Sequence, residues 1–211
     1  MTDALEAFLD AASTAVGVLE RPELAERWQQ DSVLPRFGVA ALAGHLVRGM
    51  TTVEQYLDGP EPDEPGISAA RYFHTVIRSA DISDPAHQAI RDRGAEAAAD
   101  GPAMLAGDAR AALGRLPSRL AGAGAGRRLR VAGGLVMTLD EYLRTRVVEL
   151  VIHADDLAAS LGVELAPPRP ATCAVAIDVL VGVARIRHGD LAVLRALARR
   201  ERDPAQALRV L

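Results

Sequence analysis

The chain of 211 residues has no lysine and no asparagine, a single cysteine (Cys173), one tryptophan and only 3% aromatic residues. The lone cysteine excludes an intramolecular disulfide and any zinc site built from several thiolates. Without lysine, all 24 basic residues are arginines, and against 28 acidic residues they leave a formal net charge of −4. A mildly acidic chain argues against a nucleic-acid partner, which calls for a basic patch to neutralise phosphates. No apolar run reaches the roughly 18 residues that would suggest a membrane span. The opening segment Met1-Thr2-Asp3-Ala4-Leu5-Glu6 is acidic and amphipathic, without the basic region and apolar block of a signal peptide. The expectation is a cytoplasmic protein, a monomer or homodimer, with neither membrane nor nucleic acid as partner.

The 49% hydrophobic and 25% charged residues exclude intrinsic disorder and are ample for a sizeable core. The wealth of Ala, Leu, Arg and Glu favours helix, because these side chains lose little rotamer freedom there. The excess of Arg and Ala over Lys and Asn is also the signature of GC-rich codons.

Apolar periodicity predicts helices over 3–20, from Pro22 to about residue 30, over 38–58 and over about 68–80. Trp28 is an anchor for packing the first of these. A longer helix opens at Asp84-Pro85 and runs to about residue 115, with a break near Gly101-Pro102. The stretch 59–66 reads as an acidic loop, Ala121–Gly126 as a flexible connector, and 128–131 as an extended piece without a partner strand. The helix over 138–161 is the best defined, with Thr138 and Glu141 as a capping box and Gly162 as its C-cap. Pro167, Pro168 and Pro170 mark a linker, followed by helices over 171–188 and 190–201, the second capped by Asp190. The expected architecture is all-α: a four-helix bundle over 1–165 and a short helical C-terminal extension over 166–211.

On a helical wheel, the 138–161 segment has an apolar arc beside a polar stripe of Tyr142, Arg146, Glu149, His153, Asp156 and Ser160. Val148 and Ile152 flank the stripe on its other side, which points it into the bundle; Glu141, Arg144 and Asp155 fall on the solvent face. Glu149 and His153, at i and i+4, can reach one point beside the helix. A divalent ion at that point needs a third ligand from another helix, and His45 is the natural candidate, beside the small residues Gly38, Ala41 and Gly49 that permit close approach of a neighbour. A His₂Glu set leaves positions open for water or substrate. The plainer alternative is a hydrogen-bonded Glu–His pair inside a helical core.

The segment 143–158, Leu-Arg-Thr-Arg-Val-Val-Glu-Leu-Val-Ile-His-Ala-Asp-Asp-Leu-Ala, resembles the Arg-x-x-Glu-x-x-x-His-x-x-Asp signature of the mycothiol-dependent maleylpyruvate isomerase-like proteins of the DinB-like superfamily. The segment 39–49 resembles that family's first-ligand helix, a Leu-x-x-His-Leu pattern following a Trp-containing stretch, here with Trp28. The resemblance covers about residues 3–162. It implies a DinB-like four-helix bundle and a divalent metal, usually zinc, on His45, Glu149 and His153. It also implies mycothiol as a low-molecular-weight thiol cosubstrate, acting on a small electrophile in an isomerase or S-transferase reaction. Two features depart from the family pattern: Leu34-Pro35-Arg36-Phe37-Gly38 stands where Pro-Gly-Trp is common, and only some 40 residues follow the proline linker, where the isomerases carry a sizeable second domain.

In that setting Arg146 either pairs with Glu149, the arrangement favoured for a buried guanidinium, or holds a substrate carboxylate. Asp156 either orients the His153 imidazole or serves as local helix polarity. A metal-binding or regulatory protein that keeps the site without turnover is the competing reading. His74, His87, His188 and Cys173 are expected to be structural, while Arg71 and Arg78 lie where they could reach an anionic substrate.

Overall fold

The computed structural model describes residues 2–77, 83–201 and 203–210. Ten helices are described: α1 (Asp3–Leu19), α2 (Pro22–Glu26), α3 (Val39–Leu57), α4 (Ala69–Val76), α5 (Pro85–Ala97), α6 (Pro102–Gly122), α7 (Leu139–Leu161), α8 (Pro170–His188), α9 (Asp190–Ala198) and α10 (Ala205–Leu208). Proline occupies the first turn of α2, α5, α6 and α8, where no amide hydrogen is needed and its fixed φ suits the helix. The mostly helical architecture agrees with the expected DinB-like bundle.

Several local expectations need correction. Leu129 does find a partner strand: β1 (Arg128–Arg130) pairs antiparallel with β2 (Val136–Thr138), with Leu129 opposite Met137. Three-residue strands are too short to show a period of two in sequence. The connector begins later than expected, since α6 runs to Gly122, and the carbonyls of Ala125 and Arg127 accept from the amides of Asp140 and Leu139. The break expected near Gly101-Pro102 is present, with Gly101 at a left-handed φ of 88° between α5 and α6, but α6 runs past residue 115 to Gly122. Asp190 does not cap α9; Gly189 holds that position, and Asp190 pairs with Arg185 at 2.7 Å. The acidic loop has a role as well, because Glu61 and Glu64 bind Arg128 and Arg130 of the hairpin.

Helices α1, α3, α6 and α7 form the bundle: α7 packs on α1 and α3 along one side, and α6 packs on the same two along the other. One buried cluster runs through Phe8, Leu42, Leu46, Leu116, Leu143, Val147 and Leu150, and continues into Val175, Val179 and Val183 of α8. The α3–α6 seam also carries a bidentate pair, Arg115 Nε and Nη2 donating to the buried Glu54 carboxylate at 2.9 and 2.7 Å.

The expected small residues work in two directions. Gly49 lets Leu150 of α7 come close, while Ala41 faces α5. The tighter contact is one the sequence reading did not single out, a backbone-to-backbone crossing of α3 and α5 at Gly44 and Gly94. A Cβ on Gly44 would lie 2.0 Å from the Gly94 carbonyl oxygen, and one on Gly94 would lie 2.3 Å from that of Ala41. Gly44→Ala is therefore expected to push α5 off α3 and cost about 2–3 kcal/mol in chemical denaturation. Gly107→Ala, on α6 with nothing within 4 Å of the added carbon, is expected to stabilise by about 0.5–1 kcal/mol. Equal responses at the two positions would contradict the assigned crossing.

Candidate metal centre

The site lies in the seam between α3 and α7. Thr138 caps α7 by accepting from the Glu141 amide at 3.3 Å, and Gly162 ends the helix in the left-handed region at φ 67°. The capping box is only half formed, because the Glu141 carboxylate turns instead to the Ala69 amide at 2.7 Å and fixes the start of α4. Glu141 and Arg144 are accordingly half-buried, and only Asp155 of the expected solvent trio is exposed.

Between these caps the 3.6-residue period brings Arg146, Glu149, His153, Asp156 and Ser160 to one side of α7. Ser160 Oγ accepts from the Val33 amide at 3.0 Å, anchoring the loop that leads into α3. In that loop the Phe37 amide donates to the Leu34 carbonyl at 3.2 Å, closing a type II-like turn with Pro35 and Arg36 at its centre. Arg36 has φ 63°, a left-handed conformation that glycine normally supplies. The turn delivers the buried Phe37 ring to within 6.0 Å of the His45 ring, centroid to centroid.

His45, Glu149 and His153 meet, their ligand atoms all within 4.8 Å of one another. His45 Nε2 lies 3.1 Å from Glu149 Oε2, and His153 Nε2 lies 3.4 Å from the same oxygen. The two imidazoles stand edge to face, 5.0 Å apart. These separations resemble the roughly 3.4 Å expected between tetrahedral donors about 2.1 Å from an ion, and two imidazoles with a carboxylate are ordinary zinc ligands. The donor set therefore fits a divalent ion. Asp156 Oδ2 lies 3.0 Å from His153 Nδ1, so Nδ1–H donates to the carboxylate and Nε2 is turned toward Glu149. The side chains of His45, Glu149, His153 and Asp156 are each about a fifth exposed, at 18%, 18%, 21% and 21%.

Burial opposes the charge on each group, and the neighbours decide the outcome. Burial pushes His45 below its ordinary range, against the pull of Glu149. Burial would raise Glu149, but hydrogen bonds from His153 and His45 and the charge of Arg146 hold it well below the usual carboxylate range. For His153, burial is outweighed by hydrogen bonds and charge from Asp156 and Glu149, which raise its pKa to about 9.

Arg146 departs from the favoured expectation. No carboxylate of a described residue lies within 4.0 Å of its guanidinium; its Nε donates to Thr145 Oγ1 at 3.1 Å, and its Cζ sits 5.0 Å above the Tyr142 ring. Thr145 donates its own proton to the Tyr142 carbonyl, so it is free to accept from Arg146. Thr52 likewise gives its proton to the Arg48 carbonyl, which makes the Tyr142 hydroxyl the donor in their 2.9 Å contact. Burial pushes that phenol up to about 12. Sequence reasoning missed Tyr56 of α3, whose ring meets the Tyr142 ring edge to face at 5.4 Å.

Among the described residues, neither another histidine nor Cys173 joins the triad. His74 Nδ1 is buried without a partner among the described residues, Cys173 is half-buried, and Arg78 lies outside the described residues. A surface cavity of about 650 Å³ beside Tyr56 and Glu64 and another of about 500 Å³ between α1, α6 and α7 include no triad residue. Among the described residues no helix is long and apolar enough to cross a membrane.

In metal-free protein the raised His153 pKa sets a pH window. Its protonated form contributes stability fully below the unfolded value of about 6.5, and that contribution is lost as pH rises toward about 9. An ion at the triad would have to displace the same proton, so affinity for a divalent cation is expected to run the opposite way and rise across this window. Calorimetry of zinc binding in buffers of different ionisation enthalpy is expected to show about one proton released near pH 7.5, and almost none above the His153 pKa. Release that does not change with pH would contradict a protonated His153.

Comparison with known families agrees with this geometry. The family model described as mycothiol maleylpyruvate isomerase N-terminal domain matches residues 5–158, a span that contains all three triad residues. No curated protein and no solved structure matches the chain.

Proposed function

The chain belongs to the mycothiol maleylpyruvate isomerase N-terminal domain family, and from that premise we propose that it is a divalent-metal-dependent enzyme using a low-molecular-weight thiol, mycothiol, on a small electrophile. The observation that carries this reading is the convergence of His45, Glu149 and His153 from two helices on one point accessible to solvent. His45, Glu149 and His153 would hold a divalent ion there, zinc by the chemistry of the donors, which would lower the pKa of a bound thiol and make thiolate available near neutral pH.

Each residue has a distinct part. His45 and His153 offer Nε2, and Glu149 offers carboxylate oxygen. Asp156 holds the Nδ1 proton of His153, so that this imidazole presents its other nitrogen inward. Phe37 covers the His45 ring and limits its rotation. In an isomerisation, the thiol sulfur forms a C–S bond to one carbon of an activated cis double bond, and the π electron pair moves into the conjugated carbonyl as an enolate. The former double bond turns as a single bond, and the enolate pair re-forms it in the trans geometry as the thiolate leaves. In a transferase reaction, the sulfur instead keeps its new bond and another group departs with the electron pair.

Purified protein is expected to hold about one Zn²⁺ per chain and to lose it to chelator, together with mycothiol-dependent consumption of maleylpyruvate or an alkylating electrophile. His45→Ala is expected to lower zinc affinity at least a hundredfold, and Asp156→Asn by roughly tenfold. Metal binding without thiol-dependent turnover would favour a non-catalytic metal-binding or regulatory protein. Wild type that takes up no metal, with stability unchanged in His153→Ala, would rule out both readings.

A further inference from the structure

Far along the chain from the triad, one short helix turns an apolar side outward. Among the described residues six large apolar side chains are exposed, and α9 carries three of them: Leu191 at 58%, Leu194 at 61% and Leu197 at 61%. Apolar residues exposed singly are ordinary, whereas a group of them on one element marks an interaction surface. At 100° per residue the three leucines lie within an arc of about 120°, and the exposed Ala198 falls in the same arc. The buried Val193 and the half-buried Ala192 and Ala196 occupy the opposite arc, by which α9 packs on α8 and α10. The helix is therefore apolar toward the protein and apolar again away from it.

The charge around the outer arc is basic, in a chain whose net charge is −4. From residue 185 to 200 the sequence has five arginines and one acid, Asp190. Asp190 is taken by Arg185, and Arg187 donates to the Ile77 carbonyl just after α4. Arg195 stands beside the leucines on α9, and Arg199 and Arg200 follow its last turn. All three are exposed, and none has a polar side-chain partner among the described residues. Of the acids just beyond, Asp203 accepts from the Ala205 amide at 2.9 Å, which leaves Glu201 to answer three guanidinium groups.

This charge decides between the occupants that an exposed apolar arc can have. A second copy related by a two-fold axis would set α9 against itself and bring its unpaired arginines together. A peptide needs a groove, and neither cavity described above includes a residue of α9. An apolar layer beneath anionic headgroups answers both features, because leucines can bury among acyl chains while guanidinium groups take phosphates bidentately.

We propose that α9 is a membrane-surface contact: Arg195, Arg199 and Arg200 take the phosphates of anionic phospholipids while Leu191, Leu194 and Leu197 enter the acyl boundary. The contact is independent of the metal-and-thiol reading. It needs no spanning helix, since an amphipathic helix lies in the plane of the interface. The negative charge of the whole chain does not oppose it, because at physiological salt charges more than about 8 Å away are largely screened. The expectation of no membrane partner followed from overall charge and apolar run length, and neither reports a local basic excess beside three exposed leucines.

The test is co-sedimentation of the full chain with vesicles of phosphatidylcholine and phosphatidylglycerol in equal parts, against vesicles of phosphatidylcholine alone, with light scattering of the free protein. Wild type is expected to partition onto the anionic vesicles roughly tenfold more strongly than onto the neutral ones, and to lose that preference at about 0.5 M salt. Arg195→Gln should weaken the partition about fivefold. Leu194→Gln combined with Leu197→Gln keeps every charge and should weaken it by roughly tenfold or more. Both variants should unfold at the wild-type temperature, since the altered side chains are exposed. If wild type ignores the anionic vesicles, or the double leucine variant binds them as wild type does, the assignment is wrong. It is equally overturned if the free protein forms a dimer that the double leucine substitution dissolves, because the face then belongs to a second copy.

Discussion

The contact between His45 and Glu149 is the constraint around which the rest of the seam is arranged. A carboxylate placed between two core helices loses much of its hydration, and burial alone would push it toward the neutral form. It stays charged because two imidazoles contact it directly and the charge of Arg146 adds to them from farther off. The consequence spreads outward. His153 must be held by Asp156, His45 is covered by Phe37, and Arg146 is set on a tyrosine ring whose hydroxyl is anchored by Thr52. A substitution that removed only Glu149 would leave buried cationic groups facing one another, a costlier state than losing the whole cluster to apolar residues.

The supports of this cluster come from outside the helix that carries most of it. Ser160 binds the loop before α3, and Glu141 binds the first amide of α4. Each is a polar side chain of α7 that completes the backbone of another element. Thus α7 carries most of the candidate site and is also the rail against which α3 and α4 are set. The close crossing at Gly44 and Gly94 then presses α5 onto α3 right beside His45, whose amide lies 3.3 Å from the position of a Cβ on Gly94.

Much of this could be read in the residue order because periodicity is a local property. The α7 stripe follows from spacing alone, and a histidine among small residues on α3 pointed to its partner. What failed was anything decided by rotamers or by remote elements. The helical wheel places Arg146 one turn from Glu149, yet the guanidinium swings to Thr145 and Tyr142. Tyr56 and Tyr142 sit on two helices, and no local spacing shows that their rings meet. Gly44 and Gly94 look like neutral helix residues until two backbones are brought together. The turn at Pro35-Arg36 was concealed for the opposite reason: an arginine stands in a backbone conformation that usually advertises itself by glycine.

Counted along the chain, His45 and Glu149 are 104 residues apart, so their contact closes a loop through most of the bundle. Closing so long an interval carries an entropic cost in folding, because α4, α5, α6 and the hairpin all lie within it. An ion held by the same side chains would act as a removable cross-link. A permanent link over a span of this size restricts the unfolded chain by about 4–5 kcal/mol, and a reversible one does so only while metal is available. The supply of the ion would then govern how long the chain persists as well as what it can react with, coupling the lifetime of the fold to the metal status of its surroundings.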